Sequence, residues 1–171
     1  MSGVVRFISD LHFGHRNMAT SRGFKDEKEQ DALIIKNWNS VVKKRDTTWI
    51  MGDLTMERRD YSFLDELNGF KKVVLGNHDL PQHVPDMLNH VNHVCGCFNY
   101  KNGVFLTHVP IAASELLYYR SQVNIHGHIH ERVLPSKNHI NVCAEQIDYT
   151  PRTLEYLLEK NRVTLKKKYR I

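Results

Sequence analysis

Short β-rich runs in this chain each break off into a cluster of imidazole, carboxylate or amide side chains, and the order of those clusters restricts the fold more than any other feature. Val4-Val5-Arg6-Phe7-Ile8-Ser9 leads into Asp10-Leu11-His12, and Thr47-Thr48-Trp49-Ile50-Met51 leads into Gly52-Asp53. Lys72-Val73-Val74-Leu75 ends in Gly76-Asn77-His78-Asp79, Val104 to Thr107 ends in His108, and Val123-Asn124-Ile125-His126 ends in Gly127-His128-Ile129-His130. Side chains placed at strand ends collect in one crevice when the strands belong to an α/β sheet. Ala32, Leu33, Ile35, Trp38, Val41 and Val42 recur near helical spacing, which predicts a helix from about Asp26 to Lys44. A second helix is expected near Asp60–Leu67, a short one around Asp86–His90, and a last one from Pro151 to Lys160, with a loop through Gly14 and Gly23. Lys101-Asn102-Gly103 between two extended runs signals a β-hairpin, and His139 to Cys143 reads as a further strand. The order βαβαβ followed by hairpins predicts an α/β fold, a layered β-sandwich flanked by helices, with its site at the strand ends.

Length and composition agree. The 171 residues suit a single domain, and 41% hydrophobic with 25% charged residues is ordinary for a globular protein. No run approaches the roughly 20 apolar residues of a membrane span. The start, Met1-Ser2-Gly3-Val4, has no secretory pattern, so no membrane and a cytoplasmic location are expected. The formal charge of +5 is uneven, because Lys160, Arg162, Lys166, Lys167, Lys168 and Arg170 fall within residues 160–171 without an acid. Without them, 18 basic residues face 19 acidic ones, so basicity belongs to the tail. A solvated or frayed end is the plainer expectation; an arm for nucleic acid is the sharper one. Cys95, Cys97 and Cys143 form no CxxC or disulfide pattern and read as packed or idle thiols.

The clusters carry two carboxylates, one amide and four imidazoles: Asp10, His12, Asp53, Asn77, His108, His128 and His130. Oxygen and imidazole donors without thiolate suit Mn²⁺, Fe or Zn²⁺ better than Ca²⁺ or Mg²⁺. Seven donors exceed what one tetrahedral ion needs, whereas two ions sharing a carboxylate would use them all. Such a pair, about 3.5–4 Å apart, serves in-line displacement at phosphorus. Asp10 and His12 are two apart, so both point one way on an extended segment, and His128 and His130 repeat that spacing.

The ordered blocks D-x-H, GD, GNHD, H and GHxH resemble those of the calcineurin-like metallophosphoesterase superfamily, across residues 10–130. The resemblance implies that Asp10, His12 and His130 bind one divalent ion, that Asn77, His108 and His128 bind the other, and that Asp53 bridges them. Manganese is the first choice, with Fe, Zn, Ni or Co as alternatives. It also implies attack by metal-bound hydroxide, with His78 as general acid and Asp79 accepting a hydrogen bond from the other ring nitrogen of His78. His15, Arg16 and Asn17 follow the first block and are candidates to contact the substrate phosphate. His126 reads as a packed neighbour of the ligands, and Trp38 and Trp49 as core.

Gly52-Asp53 continues as Leu54-Thr55-Met56-Glu57-Arg58-Arg59, and the third block ends in Asp79, so the protein-phosphatase patterns GDxVDRG and GNHE are absent. The DNA-repair nucleases of the superfamily carry a large cap that 171 residues cannot supply. The chain resembles the small single-domain bacterial and phage phosphoesterases. Hydrolysis of a phosphodiester in a nucleotide or other small ester is the expectation, with a phosphomonoesterase, or a nuclease or binding module using the tail, as alternatives.

Overall fold

The computed structural model describes residues 3–56, 60–118 and 120–166. One sheet contains β1 (Val5–Ile8), β2 (Thr47–Ile50), β3 (Phe70–Val74), β4 (His93–Cys95) and β9 (Arg152–Thr153), in the order β4-β3-β2-β1-β9. The other contains β5 (Phe98–Tyr100), β6 (Val104–Leu106), β7 (Val123–His126) and β8 (His139–Asn141), in that order. β1 to β4 run parallel, as do β6 to β8; β9 and β5 are antiparallel edges. The expected layered α/β architecture is present.

Alternation along the strands explains the layering. Phe7 pairs in register with Trp49, so both lie on one face. Phe7 meets the ring of Tyr100 at 5.6 Å and Trp49 meets Phe98 at 4.6 Å, which seats the first sheet on the second. Ile8 and Ile50 are fully buried on the opposite face. Helix α2 (Glu27–Val41) buries Ile34 and Trp38 in the same core. Its start is fixed by Asp26, whose side chain accepts from the Glu29 N–H, with Glu27 and Glu29 suiting the positive helix end. Trp38 donates its indole N–H to the Asn68 carbonyl at 2.9 Å, so this large side chain is buried without an orphaned donor. Between β5 and β6, Asn102 and Gly103 have φ of 63° and 75°, the left-handed pair that an Asn-Gly hairpin demands.

Several boundaries differ from expectation. The loop after the first strand contains α1 (Arg16–Ser21). Residues 60–67 form only a 3₁₀ turn, Ser62–Glu66, and the third short helix, α3 (Val84–Met87), comes earlier than Asp86–His90 because Pro85 occupies its first turn. Helix α4 (Ala113–Tyr118) had no sequence counterpart. The last helix, α5 (Leu154–Lys160), begins late because Arg152 and Thr153 pair with β1 and close its free edge; Thr153 then caps α5.

The tail is not frayed throughout. Lys160 Nζ donates to the Gln146 carbonyl, Val163 and Leu165 pack on the core, and Lys166 exchanges two hydrogen bonds with the Gln122 side chain. Gln122 precedes β7, so Lys166 lies at the opposite end of that strand from His128 and His130. Lys167, Lys168 and Arg170 fall outside the described residues. Among the described residues, no helix is long and apolar enough to cross a membrane.

Candidate metal centre

The C-terminal ends of β1, β2, β3, β6, β7 and β8 meet at one edge, where Ser9 and Cys143 form a parallel bridge between the sheets. Backbone bonds zip the loops together there: Asp10 N–H to Gly52 O, His12 N–H to Asp53 O, and Gly127 N–H to His108 O, at 2.8 to 3.1 Å. His128 N–H reaches across to Asp10 Oδ2 at 2.9 Å. Two glycines permit this closeness. A Cβ on Gly76 would strike Asp53, and one on Gly127 would strike Ser9 Oγ and Asp10 Oδ2.

Asp10, His12, Asp53, His128 and His130 all have left-handed backbone, with φ between 49° and 71°. Asp, Asn and His tolerate that region better than most residues, yet each instance costs on the order of 1–3 kcal/mol. Strain concentrated on five of the seven candidate ligands belongs to the site and serves no regular element.

The side chains form two groups meeting at one carboxylate. Asp10 Oδ1 lies 3.8 Å from both His12 Nε2 and His130 Nε2, and His12 Nε2 lies 3.9 Å from Asp53 Oδ2. On the other side, His108 Nε2 is 3.4 Å from Asp53 Oδ2 and 2.9 Å from Asn77 Oδ1, which in turn is 2.8 Å from His128 Nδ1. Donors about 2.0–2.2 Å from a shared ion stand at such separations from one another. Asp10, His12, Asp53 and His108 are buried, Asn77 is exposed and His128 half-buried, so the crevice opens on the Asn77 side.

The chemistry of this donor set fits a cation. Asp10 Oδ1 and both ring nitrogens of His12 are buried with no hydrogen-bond partner among the described residues, an arrangement that costs free energy unless a cation completes it. His108 Nδ1 lies 2.7 Å from the Met51 carbonyl, an acceptor only, so it carries the proton and Nε2 faces two oxygens. Without an ion a proton takes that place. Burial opposes charge on His108, but Asp53 and Asp10 outweigh it and push the imidazole up to about 9. Burial also works against ionised Asp10, yet His12, His108, Ser9 and the His128 amide hold it well below the usual carboxylate range. Asp53 is lowered likewise against burial, chiefly by His108. His128 is lowered by burial and by the charge of His108.

One expected contact is replaced by another. Instead of receiving the His78 ring, the Asp79 carboxylate accepts three backbone N–H groups, from Asp53 and Gly76 on Oδ2 and from Leu54 on Oδ1, at 2.8 to 3.1 Å. A buried carboxylate takes the amides that otherwise go unpaired where two loops leave their strands, so Asp79 splices the second and third blocks. His78 is half-buried, its N–H donates to Asp53 Oδ1 at 2.9 Å, and its ring lies 5.9 Å from that of His12. His15 is near the site, 5.8 Å ring to ring from His12, whereas Arg16 and Asn17 are exposed on α1. His126 is fully buried with Nδ1 2.9 Å from the Gly127 carbonyl, as a packed neighbour.

Four supporting residues escaped sequence reasoning. His130 Nδ1 is 2.8 Å from Glu145 Oε1, and this bond raises the imidazole pKa while turning Nε2 inward. Arg22 bridges Glu145 (2.6 Å), Gln30 (2.9 Å) and the Asp10 carbonyl (2.8 Å). Ser9 Oγ and Cys143 Sγ approach Asp10 Oδ2 at 2.5 and 3.1 Å. Cys143, expected to be a packed or idle thiol, is packed: it is fully buried, beside a candidate ligand. Cys143 and Glu145 were findable, since one ends and the other follows the strand read at His139–Cys143, where the other strands carry their clusters.

Fold and geometry together define a two-sheet α/β protein with candidate metal-binding groups at its strand ends, among them Asp10-His12-Asp53. The chain belongs to one family with the uncharacterized protein MJ1445 of Methanocaldococcus jannaschii, to which it is 32% identical over 93% of each chain. The crystal structure of a protein of unknown function, AQ665 from Aquifex aeolicus, shares the fold, with TM-score 0.73 and 24% identity over 93% of this chain and 99% of that one. The structure of Pseudomonas putida nuclease MPE is similar over 74% of this chain and 61% of its own, at 18% identity and TM-score 0.47. No protein-family model matches the chain.

Proposed function

We infer that this chain is a two-metal phosphoesterase acting on phosphodiester bonds of a nucleotide or another small ester. The observation that carries this reading is the pair of donor groups meeting on Asp53, with Asp10 Oδ1 and the His12 nitrogens buried and without a hydrogen-bond partner among the described residues. Asp10, His12 and His130 would hold one divalent ion and Asn77, His108 and His128 the other, both contacting Asp53; oxygen and imidazole donors suit Mn²⁺, Fe or Zn²⁺, and the family resemblance makes Mn²⁺ the first choice, with Fe, Zn, Ni or Co as alternatives. Bound there, the ions would supply positive charge to the phosphoryl oxygens and a more acidic water as nucleophile.

The remaining work falls to the chain. Buried Asp10, His12 and His108 floor the crevice, and exposed Asn77 marks the side from which substrate enters. His78 is half-buried and tied to Asp53 through its backbone N–H, and its ring would pass a proton to the departing oxygen. Asp79 keeps the His78 loop in place through its three amide bonds. His15, half-buried beside His12, would meet a phosphate oxygen.

Metal-stripped protein reloaded with Mn²⁺ should hydrolyse bis-p-nitrophenyl phosphate. In His78→Ala, turnover should fall by about 10²–10⁴ with metal content unchanged. Cleavage of p-nitrophenyl phosphate alone would move the assignment to a monoesterase, and undiminished turnover in His78→Ala would remove the general-acid role.

A further inference from the structure

The best-braced oxygen in the crevice is Asp10 Oδ2. It receives the Ser9 hydroxyl at 2.5 Å, the Cys143 thiol at 3.1 Å and the His128 N–H at 2.9 Å. The Met51 carbonyl, 2.6 Å from Ser9 Oγ, is a second acceptor for that single proton, so the Cys143 thiol and the His128 N–H are the donors that Oδ2 does not share with it. Gly127 packs against the same place so closely that a methyl group would collide with both Ser9 Oγ and Asp10 Oδ2. The other oxygen, Oδ1, has no hydrogen-bond partner among the described residues and faces His12 Nε2 and His130 Nε2, each at 3.8 Å. The asymmetry within one fully buried carboxylate is the informative feature.

We propose that Cys143, with Ser9, is a positioning residue that saturates Asp10 Oδ2 and so presents Oδ1 alone to the ion held with His12 and His130. This rests on the two-metal reading and extends it to a thiol outside the ordered motifs. A carboxylate with one oxygen held by a thiol, a backbone amide and a share of the Ser9 proton has little freedom to turn and offer both oxygens. The bridge between Ser9 and Cys143 sets the two donors side by side, one from the end of β1 and one from the end of β8, so the join between the sheets is also the mount for the ligand. Cys143 acts as an S–H donor in this arrangement and does not touch the substrate. Hydroxyl and thiol are both single-proton donors, so serine can replace cysteine in this role and alanine cannot.

The test compares the full chain with Cys143→Ala and Cys143→Ser in metal-stripped form, by Mn²⁺ titration with paramagnetic-resonance detection of free ion, alongside thermal melting without metal. Supporting partners of metal ligands typically change affinity by about 10–100-fold. Cys143→Ala should weaken one of the two Mn²⁺ sites about tenfold and leave the other unchanged, and Cys143→Ser should restore it. A purely structural role would lower melting without separating the two sites. Wild-type affinity in Cys143→Ala would overturn the proposal, as would equal losses in both variants. A thiolate-to-cobalt absorption band in Co²⁺-loaded wild type, absent from Cys143→Ser, would also overturn it by making the sulfur a ligand. If the wild type binds no Mn²⁺ at all, the two-metal reading fails as well; binding with an insensitive Cys143 sinks only this proposal.

Discussion

Asp53→Asn is the substitution that reports most directly on how the two donor groups are joined. The change keeps size and shape, and an amide oxygen can still accept the His78 N–H that now meets Oδ1. It removes the charge from Oδ2, the atom 3.9 Å from His12 and 3.4 Å from His108. With free Mn²⁺ at about 100 times Kd, each bound ion stabilises the fold by about 2.7 kcal/mol. For a chain of this length that is roughly 5–11 °C in Tm per ion. If losing the shared carboxylate weakens each site about 100-fold, the same Mn²⁺ concentration yields only about 0.4 kcal/mol per ion. Among the described residues the Asn77 side chain hydrogen-bonds to His108 and His128 alone, so Asn77→Ala should forfeit one increment and keep the other. Differential scanning calorimetry of metal-stripped wild type, Asp53→Asn and Asn77→Ala, each with and without Mn²⁺, measures the three responses. An equal shift in wild type and Asp53→Asn would refute the reasoning, because the ions would then be binding elsewhere.

Gly127→Ala should destabilise the metal-free protein by about 3 kcal/mol in urea denaturation and impair Mn²⁺ binding, because its Cβ meets Ser9 and Asp10 and overpacking of a closed site costs on the order of 1–3 kcal/mol or more. At Gly23 a Cβ meets nothing within 4 Å and only φ of +85° opposes alanine, so Gly23→Ala should cost about 1 kcal/mol; equal costs would show that sterics at Gly127 do not matter. Burial pushes His126 down to about 4 despite its bond to the Gly127 carbonyl. The unfolded imidazole, near 6.5, therefore binds more protons below that pH. The stability it confers should be complete above about pH 6.5 and decline toward about pH 4, by on the order of 3 kcal/mol. Metal-free His126→Leu should lack this part of the pH slope, and an unchanged slope would contradict a buried neutral His126.

Legibility in the sequence followed the physics of each feature. Strand ends carrying Asp, His and Asn were readable because alternation and glycine placement are local, and the structure brings all seven candidate ligands to one edge. Supporting residues were not readable by that route. Arg22 closes α1 and reaches Glu145 more than 120 positions away, a contact created only when the sheets join. Asp79 misled for a related reason: adjacency to His78 suggested a ring partner, but the amides of Asp53, Leu54 and Gly76 are the needier groups once two loops leave neighbouring strands. Element boundaries slipped where the fold overrode local preference. Thr150-Pro151 looks like a helix start, yet the edge of β1 claims Arg152 and Thr153 first.

What separates a binding site from a structural polar cluster here is that the local rules are broken together, at the same residues. A polar cluster kept for stability alone would be expected to pair its buried atoms and relax its backbone, as the Arg6–Asp46 pair does: Asp46 takes the Arg6 guanidinium and the amides of Val4 and Lys43. At the crevice the reverse holds. Asp10 and His12 combine left-handed backbone with buried atoms that have no hydrogen-bond partner among the described residues, and Asp10 spends its satisfied oxygen on being held still. Their neighbours are arranged to preserve this tension: Glu145 fixes the tautomer of His130, Met51 that of His108, and Gly127 leaves room for Asp10. Support of this kind has a purpose if something binds the presented atoms, and their oxygen and imidazole character is that of groups that could hold a metal ion.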